Sequence, residues 1–296
     1  MYPLIIGGVV ATCMLLIIYN LISERRQLNL RIKKGILLTS HLRSVVDHCQ
    51  KHRGTSNAVV SGNEKLFPQM IQLQNDIDNL IDSEMSQTLS DFPQWQSFIE
   101  HWPRLKQHAL AKDLSPQNIV RQHSLMIDGQ LMLLDDVMRA YDLHRLMLDS
   151  CTRVSEICID TLRVAETLGY TRAIGSGVCA RGSCLAADRI LLEFLRISVK
   201  TTSERLLSEV KLINNNDLNS SLETSSKAVR QQIDALLNMV DKRVLQRGQL
   251  KLDSHEYFNL STRAIDEVLN IFSIVIQYAS QKHTRCLLYT SPSPRD

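Results

Sequence analysis

The chain has 296 residues, a formal charge of +3 and 44% apolar residues, the profile of a core-forming protein with no electrostatic pull toward nucleic acid. Eleven glycines, seven prolines, 5% aromatics and no proline between Pro116 and Pro292 argue against a turn-rich sandwich, barrel or Rossmann sheet. Seven cysteines without a CxxC pair exclude a zinc ribbon and speak against a disulfide scaffold.

The first element in chain order is the segment from Leu4 to Ile22, 19 residues without a formal charge. At about 1.5 Å per residue it nearly spans a hydrocarbon core of about 30 Å. Neither Met1-Tyr2-Pro3 nor Tyr19-Asn20-Leu21 supplies the basic start and small-residue cleavage site of a signal peptide, so an uncleaved anchor over residues 1–23 is expected. Arg25, Arg26, Arg31, Lys33 and Lys34 form a basic stretch over 24–35, and by the positive-inside rule they place the rest of the chain in the cytoplasm of a single-pass protein of the cell membrane.

A first long helix is expected to run from the anchor to about Val60, ending near Ser61-Gly62-Asn63. A second is expected over Lys65 to Leu89, and a less regular stretch over Trp95 to Lys112, where Pro93 and Pro103 mark breaks. Ser115-Pro116 reads as an N-cap followed by proline at the first helical position. The helical pattern then continues to about Gly169, with a reversal expected near Tyr141 to Arg145. Asn214-Asn215-Asn216 and Arg247-Gly248 are the next turns. Asp253-Ser254-His255-Glu256 has the form of a capping box for a final helix.

Ile233, Leu236, Leu237, Val240 and Val244 follow the i, i+3, i+4, i+7, i+11 spacing of a helical core face, and Ile265, Val268, Leu269, Phe272 and Ile276 repeat it. The expected fold is all-α: up-and-down bundles, two four-helix bundles sharing long helices over residues 36–285. Residues 286–296 (CLLYTSPSPRD) do not continue the pattern and look like a translated sequencing adapter, so they are set aside, and the natural C-terminus is expected to lie elsewhere.

Four groups of residues carry possible chemistry. His48 and His52 are four apart on a helix, as in a helical zinc pair, but no third ligand is placed, and two partly solvated histidines explain them as well. Ile174 to Ser183 has the GxxxxG spacing of a phosphate loop without its lysine or a preceding strand, and small residues at a close helix contact account for it better. The other two groups place arginines beside small residues: Gln50-Lys51-His52-Arg53-Gly54-Thr55-Ser56 and Gly169-Tyr170-Thr171-Arg172-Ala173-Ile174-Gly175. A buried arginine needs an anionic partner, and its planar fork suits a small planar oxyanion. A bundle carboxylate such as Asp47 or Glu166 is the competing partner. Nothing in the spacing argues for an enzyme or a cofactor.

The segment from Gln50 to Gly62 resembles the first motif of the nitrate- and nitrite-sensing domain family, read as Q-x-E-R-G-x-S. Glu166 to Gly177 is similar to its second motif, and Tyr257 to Asp266 to its closing helix, so the resemblance covers roughly residues 36 to 280. It implies a pair of four-helix bundles that hold nitrate or nitrite through arginines between long helices. By motif these are Arg53 and Arg172; for a further arginine on a later helix Arg230 is the nearest candidate, with no motif to anchor it. His52 stands where the family has an acidic residue. The resulting expectation is a membrane-anchored, homodimeric sensor without cofactor, metal or nucleic acid. A membrane-tethered helical scaffold that binds only protein is the alternative, marked by exposed apolar stripes and by arginines paired with carboxylates.

Overall fold

A computed structural model describes the backbone of residues 2–246 and 250–288, and the side chains of 13–246 and 250–282. Nine α-helices are formed among the described residues: α1 Tyr2–Val60, α2 Phe67–Ile81, α3 Glu84–Leu89, α4 Pro93–Ala111, α5 Pro116–Ala140, α6 Val154–Arg181, α7 Ala186–Leu212, α8 Asn216–Met239 and α9 Ser254–Leu288. The β structure among these residues is one isolated bridge, Met147 to Arg153, inside the α5–α6 connection.

Two bundles result. Helices α1, α2, α4 and α5 pack together, and α6, α7, α8 and α9 form a second ring; α1 lies along α6 and α9 and joins the two. The apolar faces read from the sequence are core: Ile233, Leu236, Val240 and Val244 are buried, as are Ile265, Val268, Leu269, Phe272 and Ile276, while Leu237 is half-buried. Trp95, Phe98 and Trp102 of α4 fill the first bundle, and the Trp102 indole donates to Asp78 of α2 at 2.8 Å.

The local signals mostly hold. The Ser115 hydroxyl accepts from the Asn118 amide at 3.3 Å, with Pro116 at the first helical position. The reversal after α5 starts at Asp142, whose φ of 62° takes the chain out of the helix. Asn215 caps α8. The second expected helix is instead cut at Ser83, which turns extended while the Ser83 and Ser86 hydroxyls donate to the Leu80 carbonyl, both at 2.8 Å. Pro103 does not break α4, because the buried row Trp95, Phe98, Trp102, Leu105, Ala109 carries the helix across it. Asp253 accepts from the His255 amide, but Glu256 turns away to Arg243, so the expected capping box is only half made. Arg247-Gly248 and residues 289–296 lie outside the described residues.

Among the described residues no helix is long and apolar enough to cross a membrane. The side chains of residues 4–12, half of the expected span, lie outside them. From Met14 to Ile18 and at Tyr19, Leu21 and Ile22, α1 exposes every large apolar side chain.

Candidate functional site

Helices α1 and α6 run parallel, with residues about 116 apart facing each other: Gln50 reaches Glu166, and the Asn57 amide donates to the Ala173 carbonyl at 2.6 Å. The two arginine motifs therefore meet. Gly54 leaves room for the Phe258 ring, 3.1 Å from where a Cβ would stand, with Arg172 Nε beside it at 3.6 Å, and Gly169 leaves room for Arg53, with Nη2 at 3.0 Å. Each arginine thus lies against the glycine of the other motif. Both are fully buried.

Their partners differ. Arg53 forks onto Glu166, Nη1 to Oε1 at 2.6 Å and Nη2 to Oε2 at 3.1 Å, and Nη1 also donates to Ser124 Oγ at 2.8 Å. Gln50 Nε2 fixes the same carboxylate at 2.8 Å, and the Tyr170 ring lies 5.5 Å from the guanidinium carbon. Among the described residues Arg172 has no carboxylate in contact. Its Nη1 donates to Thr262 Oγ1 of α9 at 2.9 Å, and its guanidinium lies 4.9 Å from the Phe258 ring. Its Nε and Nη2, two adjacent donors of the planar fork, are buried with no acceptor. Burial lowers its pKa to about 10, with Asp47 opposing that shift and Arg53 adding to it, so the group stays charged at neutral pH.

A buried donor without an acceptor costs on the order of 1–3 kcal/mol, more when it is charged. The fold keeps that cost at Arg172 while neutralising Arg53 a short distance away. Glu166 also borders a cleft of about 430 Å³ between α5 and α6, lined further by Asp128, Met132, Leu162 and Arg163. Burial and the Glu166 charge raise the Asp128 pKa.

Next to Arg53, three groups form a buried chain from α2 through α1 to α5. Gln74 Nε2 donates to His52 Nε2 at 3.1 Å, His52 Nδ1 contacts His123 Nε2 at 2.7 Å, and His123 Nδ1 donates to the Ile119 carbonyl at 2.7 Å. Only two neutral rings satisfy all three contacts, since each then gives one proton and accepts one. Burial lowers the His123 pKa to about 3 and holds His52 well below 6.5, with the Arg53 and Lys106 charges adding to the effect. A folded-state pKa below the unfolded value means stability is full above pH 6.5 and is lost as pH falls toward 3. His123 should remove about 1.4 kcal/mol per pH unit in that window, and His52 adds to the loss in the same direction. Urea unfolding at pH 7.5 and 5.5 should show this loss, and His123→Gln should flatten it; a pH-independent midpoint would contradict the neutral pair.

His48 does not join His52. Its ring contacts the Ser44 carbonyl of its own helix at 2.7 Å, while His52 is buried rather than partly solvated. The phosphate-loop spacing at Ile174 to Ser183 lies within α6 and its left-handed cap Gly182, where Gly175 admits Tyr257 and Gly177 admits Asn57. Arg230 is not brought to the arginine pair. It is exposed on α8, lining a surface cleft with Lys211 and Lys227. The i, i+4 face that would turn it inward belongs to Leu222, Val229, Ile233 and Leu236. Ser124 and His123, which complete the surroundings of Arg53, carry no local signal in the sequence; they come from a helix 71 residues away.

Two bundles are joined along parallel helices, with paired arginine motifs at the junction. Residues 44–272 match the model of the family described as nitrate and nitrite sensing, and the chain belongs to that family. Its role is accordingly signalling rather than catalysis. The fold is similar to the structure of the NasR transcription antiterminator, with a TM-score of 0.63 and 13% identity, over 92% of this chain and 75% of that one. No curated protein matches the chain.

Proposed function

We propose that the chain senses nitrate or nitrite through Arg172 and Arg53. The observation that carries this reading is the Arg172 fork, buried and charged, with Nε and Nη2 lacking any acceptor. Two parallel N–H bonds to a planar oxyanion match that geometry, and each charge-assisted bond contributes about 1.5–3 kcal/mol. Arg53 reports the event. Its charge is already balanced by Glu166, so an anion arriving beside it competes with that carboxylate and alters how α1 packs on α6. The ligand acts only through its differential affinity for the two packings.

The protein works, in this reading, as a homodimer held to the cell membrane by residues 4–22, with residues 36–285 on the cytoplasmic side and no nucleic acid bound by this region. The exposed apolar run from Met14 to Ile22 and the arginines and lysines that follow it support the anchor. The scaffold alternative is favoured by the Arg53–Glu166 pair and by an exposed apolar stripe on α7, but it leaves Arg172 unexplained.

Calorimetric titration of nitrate into the full chain in mild detergent tests the proposal, with chloride and sulfate as controls. Saturable binding is expected, with a stabilisation of about 2.7 kcal/mol at a hundredfold excess over Kd. No heat and no thermal stabilisation at millimolar nitrate would overturn it and leave the scaffold reading.

A further inference from the structure

Helices α4 and α5 pack along one another in the first bundle and leave a cavity of about 540 Å³ between them. Phe98 and Met126 form its buried floor, with Leu125 and Pro93 at the exposed rim. Three polar atoms of its lining residues have no partner. Gln130 is 1% exposed, and its Oε1 meets no donor. Gln94 donates from Nε2 to Asp136 Oδ2 at 2.6 Å, which leaves its Oε1 buried without a donor. His101 contributes a buried Nε2, also without a partner. Gln94 and His101 belong to α4 and Gln130 to α5, so both walls take part. Buried polar groups are normally satisfied, and three idle ones around a single apolar-floored cavity mark a place where a ligand supplies the bonds. Water could satisfy the three atoms, but it would wet the Phe98 and Met126 surface, which a ring covers better.

The backbone widens this space. Gly129 lies on the α5 wall, and a Cβ there would meet nothing within 4 Å. No neighbour among the described residues demands a glycine at that point, and a mid-helix glycine is disfavoured against alanine. The lining also sets the charge and the edge of the ligand. None of the side chains around the cavity is charged at neutral pH, since burial, with Arg104 and His108 nearby, holds the His101 imidazole below its usual range. An ion would lose its water there without gaining a counter-charge. The two amide oxygens require N–H or O–H donors, and Gln122 adds a further amide that gives as well as accepts. Glutamine pairs edge to edge with groups that carry an N–H beside an acceptor, as it does with adenine.

We propose that the α4–α5 cavity binds an uncharged, planar molecule bearing a primary carboxamide or amino-heterocycle edge, with Gln94 and Gln130 holding the edge and Phe98 and Met126 the ring. The site is separate from the arginine pair and does not rest on the nitrate reading. One helix joins the two: Gln122 precedes His123 and Ser124, which reach His52 and Arg53.

The test titrates nicotinamide and adenine into the full chain in mild detergent, read by ligand-observed NMR with detergent alone as the blank. Both are expected to bind saturably. The methyl ketone of the nicotinamide ring keeps the carbonyl but loses the N–H donors, and nicotinate exchanges the amide for a charge. Each should bind at least about tenfold more weakly than nicotinamide. Gln130→Leu removes an amide that has no partner to lose, and Gly129→Leu fills the open space, so both should keep the wild-type helical circular dichroism. Both should lower nicotinamide affinity by about tenfold or more. No saturable binding of either probe at millimolar concentration overturns the site, and this is the result a merely water-filled cavity gives. Binding that survives both substitutions overturns its placement between α4 and α5. Equal binding of the methyl ketone overturns the role of the amide edge.

Discussion

Replacing Arg172 by methionine is expected to abolish nitrate binding and, in the absence of ligand, to stabilise the protein. The two effects share one cause. Arg172 is fully buried and has one hydroxyl partner and two idle donors, so the folded chain without ligand holds an under-solvated charge. Removing the guanidinium removes that cost, and the methionine stem keeps most of the packing against Phe258. Nitrate loses two charge-assisted bonds at once, about 3–6 kcal/mol, or a hundredfold and upward in Kd. Arg172→Lys keeps the charge but loses the fork, and its affinity should fall by at least about tenfold. Thermal unfolding with and without nitrate reads both effects. A methionine variant that still gains stability from nitrate would remove Arg172 from the site.

Glu166→Gln should act with the opposite balance. Among the described residues Glu166 is the only carboxylate in contact with Arg53, and its loss leaves a fully buried arginine without a counter-charge, facing a second one. Breaking such a pair costs about 3–5 kcal/mol, reduced here because the glutamine carbonyl still accepts one bond and Glu166 keeps some exposure to the cleft. Nitrate affinity should nevertheless rise, because the anion no longer competes with a tethered carboxylate. The variant is therefore expected to be less stable alone and to gain more from saturating nitrate than the wild type. A lower affinity would make Glu166 a part of the binding surface rather than its competitor.

Much of this arrangement was legible in the sequence, for identifiable reasons. Proline and glycine scarcity with period-3.6 apolar rows dictates helices, and a helix is a local structure whose signals are local. Arg53 and Arg172 stand out because glycines sit beside them, and a glycine in a long helix is costly unless something must come close. Arg230, the nearest candidate for a further arginine on a later helix, had no motif to anchor it, and the structure does not bring it to the pair. No glycine marks that position, and the side chain lies on the polar face of α8. Nor do spacing rules reveal which arginine takes the carboxylate: Glu166 is 113 residues from Arg53, and Ser124 is 71. Such pairings exist only once α1, α5 and α6 are side by side. Pro103 shows the same limit in reverse, a breaker overruled by two buried tryptophans.

Helix α1 runs without interruption through 59 residues, about 88 Å at 1.5 Å per residue, and Arg53 lies near its far end. No turn or cap absorbs movement between that arginine and the N-terminal segment. A small rotation or axial shift of the helix at Glu166 is therefore delivered to the other end as the shift of a rigid rod, sliding past Tyr141 and Leu143, which abut Gly35 along the way. The N-terminal end of the chain and the Arg53–Glu166 contact thus share one unbroken helix, so on the proposed reading a displacement of α1 at Arg53 is carried toward residues 14 to 22.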